Sequence, residues 1–414
     1  MTTATLDSIC ARISSGGTPS RKNAEYFTSD PAGHLWVKSK ELLDCSINDT
    51  EEKISEEGFK NSAAKYFPEH TVLVAMYGAN VGQLAWLRKP ATVNQAISGL
   101  VVDDKKADWR FVFYSLLQNR GDLTIQAQGA AQQNLNQDLI RQFSIPLPPL
   151  LVQRRIAGIL SAYDELMENS QRRIRLLEAM ARALYREWFV HFRFPGHEKH
   201  PRVASPLGDI PQGWEVKTIQ QFGSVITGKT PSKANADFYG NDVPFVKTPD
   251  MHGNMFILGT SDCLSTTGAE SQANKTLPAG SICVSCIGTI GVVSITTEDC
   301  QTNQQINSVV LANPASREFL FLRLQDAKQT LENLGANGAT MGNVNKGKFE
   351  AMEIVCPSDD VLARYHRLVE PMFSEILSLF RQIQNLRRTR DLLLPRLLSG
   401  QVELAPSNGK VANL

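Results

Sequence analysis

The stretch Gly16–Phe27, GGTPSRKNAEYF, returns far downstream as Gly228–Tyr239, GKTPSKANADFY. Such repetition constrains a fold strongly, because a chain that carries one unit twice must build its core twice. Thr18-Pro19-Ser20 aligns with Thr230-Pro231-Ser232, and Trp36-Val37-Lys38 with Phe245-Val246-Lys247. From Trp36 a constant offset carries Asn94-Gln95 onto Asn303-Gln304, Gly129-Ala130 onto Gly338-Ala339, Asn136 onto Asn345, Ile145 onto Ile354 and Pro148 onto Pro357. The register is expected to slip by one residue around MYGANVGQL (Met76 to Leu84) against CIGTIGVV (Cys286 to Val293), a stretch that reads as strand and turn.

Each copy ends in a long apolar-periodic segment. Ile156, Tyr163, Ser170, Leu177 and Leu184 recur every seven residues, and Leu160, Met167, Ile174, Ala181 and Trp188 form a second such series. The second copy supplies Tyr365, Met372, Leu379, Leu386 and Leu393, with Leu362, Val369, Ile376, Ile383, Arg390 and Leu397. Two heptad seams at one offset predict two helices of about 40 residues, roughly 60 Å each. They are expected to pair with each other, since either seam alone would be wet. Pro395 is expected to end or kink the second helix in its last turns.

The 414 residues suffice for two or three domains. The expected order is a domain over 1–148, a helix over 149–192, a linker over 193–213, a domain over 214–357, a helix over 358–400 and a tail over 401–414. The linker is rich in Pro, Gly and charge and reads as a connection without a core. Within the domains, HTVLVAMYG (His70 to Gly78) and GSICVSCIG (Gly280 to Gly288) read as buried strands, and Asp108 to Arg120 and Ser316 to Lys328 as helices. The class is α+β.

An apolar fraction of 42% with 21% charged residues is ordinary for a globular protein, and no apolar run approaches the ~18 residues of a membrane span. Seven scattered cysteines fit a reducing compartment, so the cytoplasm is the expected location. A net charge of +1 neither requires nor excludes a nucleic-acid partner, because phosphate affinity follows local surface.

Three motifs invite an enzymatic reading. Gly223 to Thr230, GSVITGKT, fits the phosphate-cradling pattern. No apolar strand precedes it, Pro231 disfavours helix at Thr230, and the first copy has Ala11 and Gly17 where Gly223 and Lys229 stand. Cys283 and Cys286, with Cys263 and Cys300 nearby, form one C-x-x-C without a partner pair. In the first copy Leu73 and Met76 take their places, so core packing is the simpler reading. NPAS, Asn313 to Ser316, lacks the second Pro and the aromatic residue of an amino-methyltransferase tetrapeptide. No metal site and no catalytic constellation is expected.

Together, GGTPSRKNAEYF and GKTPSKANADFY, WFVHF (Trp188 to Phe192), IPLPPLLVQRRIAGIL (Ile145 to Leu160) and RDLLLPRLLSGQVEL (Arg390 to Leu404) resemble the specificity subunit of type I restriction-modification systems over nearly the whole chain. The resemblance implies two similar mixed α/β target-recognition domains, pseudo-two-fold related and separated by a pair of long antiparallel coiled-coil helices. Each domain would read half of a split, asymmetric site in double-stranded DNA. Such a subunit is non-catalytic and holds no cofactor. Two modification subunits bring S-adenosylmethionine and methylate adenine N6, and restriction subunits bring ATP, Mg and cleavage. A module serving a methylase without a restriction subunit fits the sequence equally.

Base edges are read by Arg, Lys, Asn and Gln, and phosphates by Lys, Arg, Ser, Thr and backbone amides. Candidate DNA contacts in the first copy are Lys38, Lys40, Tyr77, Asn80, Gln132, Gln133 and Asn134. Those in the second are Lys247, Thr248, Thr289, Met341, Asn343 and Lys346. Positions alike in both copies, such as Lys38 and Lys247 or Asn136 and Asn345, suit scaffold or phosphate roles. Positions that differ suit base readout, although Asn and Gln also serve simply to cap turns.

Overall fold

The computed structural model describes residues 2–125, 134–336 and 342–402. The chain forms two compact units, Met1–Glu168 with Gln384–Leu414, and Asn169–Ile383.

In the first unit, β1 (Cys10–Ser15), β2 (His34–Val37), β3 (Cys45–Ile47), β4 (Val72–Ala75), β5 (Leu84–Leu87), β6 (Ala91–Val93) and β7 (Ile97–Val102) precede helix α1 (Trp109–Gln118). The main sheet has the order β1-β7-β4-β5-β3, antiparallel except for the parallel β5/β3 pair. A second small sheet is centred on β2, parallel to β6. β4 is buried on both faces, which explains its unbroken apolar run. Val72 and Val74 pack with Phe111, Val112 and Leu116 of α1, whereas Leu73 and Ala75 face Val37, Leu42 and Phe67. The two valines and Leu73 each contribute ~1.5–3 kcal/mol over their exposed state. Asp108 starts α1 as predicted, its carboxylate accepting from the amides of Arg110 and Phe111 at 3.0 and 3.3 Å.

The second unit repeats this plan. Here β8 (Gly223–Thr227), β9 (Tyr239–Val246), β10 (Phe256–Ile257), β11 (Ile282–Ser285), β12 (Val293–Thr296), β13 (Gln301–Thr302) and β14 (Ile306–Leu311) form a sheet of order β8-β14-β11-β12-β10, with β9 parallel to β13 beside it. The register comparison refines the expected slip. Leu42 and Met251 are both buried anchors, yet three residues separate Leu42 from Ser46 whereas four separate Met251 from Phe256. The following turn compensates, running eight residues from Met76 to Gln83 but seven from Cys286 to Val292.

The long helices are α2 (Leu150–Tyr185), entering through Pro148-Pro149, and α4 (Asp359–Leu398); α3 (Arg317–Asp326) is the counterpart of α1. Asp359 and Asp360 lie in the first turn of α4, where acids suit the helix dipole, and Gly400 follows its end at φ 75°. In the first unit Asp164 pairs with Arg390, and Ile156, Ala157 and Leu160 share a core with Leu394, Leu397 and Leu398. In the second unit Arg173 meets Glu375, and the Tyr365 hydroxyl donates to the Ala181 carbonyl at 3.4 Å. Rising numbers on α2 thus meet falling numbers on α4 within each unit, an antiparallel pairing.

The seam is buried at Ile156, Leu160, Met167, Ile174, Tyr365, Val369, Ile376, Leu379 and Ile383, and half-buried at Tyr163, Leu177, Leu184, Met372 and Leu386. It is wider than two heptad series, because each helix also packs on a domain. Buried Gln153 accepts the Asp108 amide at 3.0 Å, and Phe373 packs on Phe321 and Phe256. Helix α4 passes through Pro395 and ends three residues later; Pro371 also lies inside it. The linker segment is more embedded than its composition implies, since Phe194 is buried and stacks on Trp214 at 5.2 Å. Among the described residues no helix is long and apolar enough to cross a membrane.

Candidate nucleic-acid interface

One end of each main sheet gathers the polar segments shared by the two copies. In the first unit the Gly16 amide donates to Ile97 O at 3.2 Å and the Gly17 amide to Val93 O at 3.0 Å, and Thr18 donates to the Gln95 side chain. Met76 N–H donates to Ala96 O at 2.8 Å, Leu135 N–H to Met76 O at 2.7 Å, and Asn80 Nδ2 to Ser39 O at 3.2 Å. The segments 16–18, 38–44, 76–83, 94–96 and 134–136 therefore converge.

The second unit repeats the backbone contacts and the Thr–Gln pair. Gly228 N–H donates to Ile306 O at 3.1 Å, Lys229 N–H to Thr302 O at 2.9 Å and Thr230 Oγ1 to Gln304 Oε1 at 2.6 Å. Cys286 N–H donates to Gln305 O at 2.7 Å and Val344 N–H to Cys286 O at 2.9 Å. The repeated T-P-S and N-Q pairs are thus two sides of one hydrogen-bonded corner.

This also accounts for GSVITGKT. Gly223–Thr227 is strand β8, paired to β14, so the geometry is not strand, loop and helix. Gly228 is required because a Cβ there would lie 2.2 Å from Asn303 O. Cys283, Cys286 and Cys300 are buried; burial pushes the Cys283 thiol up to about 12 and the Cys286 thiol up to about 11.

The candidate contacts divide by what holds them. Lys38 Nζ lies 2.8 Å from both Glu51 and Glu52 with its side chain 13% exposed, and Lys247 pairs with Asp262. Their amides donate alike, Lys38 to Glu41 at 2.7 Å and Lys247 to Asp250 at 2.8 Å. Asn136 and Asn345 cap short helices through the Leu139 and Lys348 amides. The positions alike in both copies are therefore engaged by groups of their own unit. Thr248 is buried and donates to Gln305, Asn80 is half-buried, and burial pushes the Tyr77 phenol up.

Exposed candidates are Lys40, which reaches Glu51 at 2.7 Å, Asn134, Thr289, Asn343 and Lys346, the last paired with Glu350 at 3.4 Å. Gln132, Gln133 and Met341 lie outside the described residues. Leu43 and His252, absent from the sequence candidates, are exposed beside left-handed Asp44 and Gly253, in a turn whose unequal length in the two copies emerges only once the flanking strands are paired.

The first unit also holds a cavity of about 470 Å³ lined by Trp86, Trp109, Asp164, Glu165 and Glu168 among others, none of them a sequence candidate. At the position matching Asp164 the second copy carries Phe373, buried against Phe321.

A sheet scaffold built twice, with matched anchors, unequal loops at one sheet end and a long helix after each copy, defines a duplicated recognition module. The chain belongs to the type I restriction modification DNA specificity domain family, whose model matches residues 5–179 and 211–361. It is 34% identical over 322 residues to the type I restriction enzyme HindI specificity subunit of Haemophilus influenzae, covering 64% of this chain and 70% of that one. It is 25% identical over 402 residues to the MjaIX specificity subunit of Methanocaldococcus jannaschii, covering 95% and 91%. The fold is similar to that of the crystallised type I restriction-modification S subunit from M. genitalium, with a TM-score of 0.63 at 13% identity over 96% of this chain and 95% of that one.

Proposed function

We propose that the chain is the non-catalytic DNA-specificity subunit of a type I restriction-modification complex and reads a bipartite, asymmetric site in double-stranded DNA. The carrying observation is one scaffold built twice, with Thr18/Gln95 and Thr230/Gln304 anchoring each copy while adjacent loops differ in length and chemistry. Equal frames with unequal loops suit two different half-sites, because groove readout depends on the residues that reach base edges. Exposed Lys40, Asn134, Thr289, Asn343 and Lys346 are the contacts proposed at these faces, together with Gln132, Gln133 and Met341.

The long helices serve as the spacer between the two readings and as the scaffold for two modification subunits and the restriction subunits. Helices of 36 and 40 residues span about 54 and 60 Å at ~1.5 Å per residue, more than one ~34 Å turn of duplex. S-adenosylmethionine, ATP and Mg belong to the partners in this proposal, and the cytoplasm is the proposed compartment.

The test is co-expression with the cognate modification subunit in a host lacking adenine methylation, followed by genome-wide mapping of N6-methyladenine. A split motif with two unequal halves is the expected result. A continuous or palindromic motif counts against the proposal.

A further inference from the structure

This inference rests on the specificity-subunit reading and names residues that would carry it. After buried Leu42 the chain reverses over Leu43, which is 70% exposed, and Asp44 takes a left-handed φ of 59°. Asp44 is pinned: its amide donates to Leu84 O at 2.8 Å, and its carboxylate accepts the Leu84 amide at 3.2 Å and the Arg120 guanidinium. A single exposed leucine means little on its own. This one is presented by a strained, non-glycine turn that three hydrogen bonds hold in place, at the sheet end described above.

The second copy rebuilds the device with different chemistry. Met251 is the buried anchor, His252 is exposed, and Gly253 takes the left-handed position at φ 72°. Ser294 Oγ hydrogen-bonds the carbonyls of Met251 and Asn254, at 3.2 and 2.6 Å. In the first copy this turn adjoins the β4–β5 turn through Asn80 and Ser39, and both turns change length between the copies. Anchor and left-handed residue are matched while the residue between them is not, the pattern required of a position that reads rather than builds.

We infer that Leu43 and His252 are base-reading residues, one per half-site. Leu43 offers an apolar contact that a thymine C5-methyl would fill, and His252 offers a hydrogen bond to a purine acceptor. The leucine side chain has no donor for a phosphate, so a uniform electrostatic role does not fit this side chain in the first copy.

The test uses the full chain with its modification partner. Methylated adenines are mapped for wild type, Leu43→Ala, Leu43→Met and His252→Ala. Leu43→Ala should relax one position of one half-site and leave the other half intact, Leu43→Met should retain the preference, and His252→Ala should relax only the other half. Replacing thymine by uracil at the Leu43-dependent position should weaken wild-type binding about fourfold, the equivalent of one buried methyl group, and leave Leu43→Ala binding unchanged. Thermal unfolding should match wild type for each variant. An intact split site that neither alanine variant alters, or a loss spread evenly over all sequences, overturns the inference alone. Absence of any split site in wild type overturns the functional reading as well.

Discussion

Arg390 Nη1 donates to Asp164 Oδ1 at 2.6 Å, and the Tyr114 hydroxyl donates to the other oxygen of that carboxylate. Burial pushes the Asp164 pKa up and Arg390 opposes the shift. Arg390→Ala should therefore destabilise the protein by about 3 kcal/mol, read by urea unfolding, because it leaves a largely buried acid unpaired. With its cation gone the Asp164 pKa rises further, so the loss relative to wild type should be smallest below the ordinary carboxyl range and grow as pH rises through the folded value. The double variant Asp164→Leu with Arg390→Met should cost less than half as much. Arg173→Ala, which breaks the half-exposed pair to Glu375, should cost under about 0.5 kcal/mol.

Phe373 occupies the position that Asp164 holds in the other copy. It is fully buried and meets Phe321 edge to face, with ring centroids 5.6 Å apart. Phe373→Ala should cost about 3–5 kcal/mol, measured by chemical denaturation. A cost below about 1 kcal/mol would mean that this helix face is not packed on the second domain.

Gly228 and Lys229 separate a structural role from a phosphate-binding one. Gly228→Ala forces a Cβ against Asn303 O and should lower stability by about 1–3 kcal/mol in a thermal melt. Exposed Lys229 contributes its amide to the corner, so Lys229→Ala should change stability by no more than about 0.5 kcal/mol and leave DNA modification unaltered.

Glu51 accepts from Lys38 and Lys40, which hold its carboxyl at about 2 instead of the ordinary 4.5. A depressed carboxyl favours the folded state above its unfolded value, and that contribution fades as pH falls toward the folded one. Carboxyl carbon shifts should show Glu51 still ionised near pH 3, and Lys38→Met should return its midpoint toward the ordinary range.

The duplication, both helices, α1 and the buried strands were legible in the sequence, because each rests on a periodicity or a repeated local signal. The width of the helix faces was not, since Gln153 and Phe373 fall outside the heptad series and are buried by the domains. Lys38 read as a phosphate or scaffold residue, and only tertiary placement supplied Glu51 and Glu52 as its partners. Leu43 was invisible because nothing in its identity distinguishes a leucine held out on a left-handed turn from one in a core. In the sequence the two compensating length changes look like a single slip, because only the pairing of the strands between them separates one from the other.

The most direct test of the account exchanges residues 214–357 for the matching segment of a related subunit and maps methylated adenines with the same modification partner. The account predicts that one half of the recognised sequence changes while the other half and the gap between them persist. A change in both halves, or retention of the original site, would contradict it.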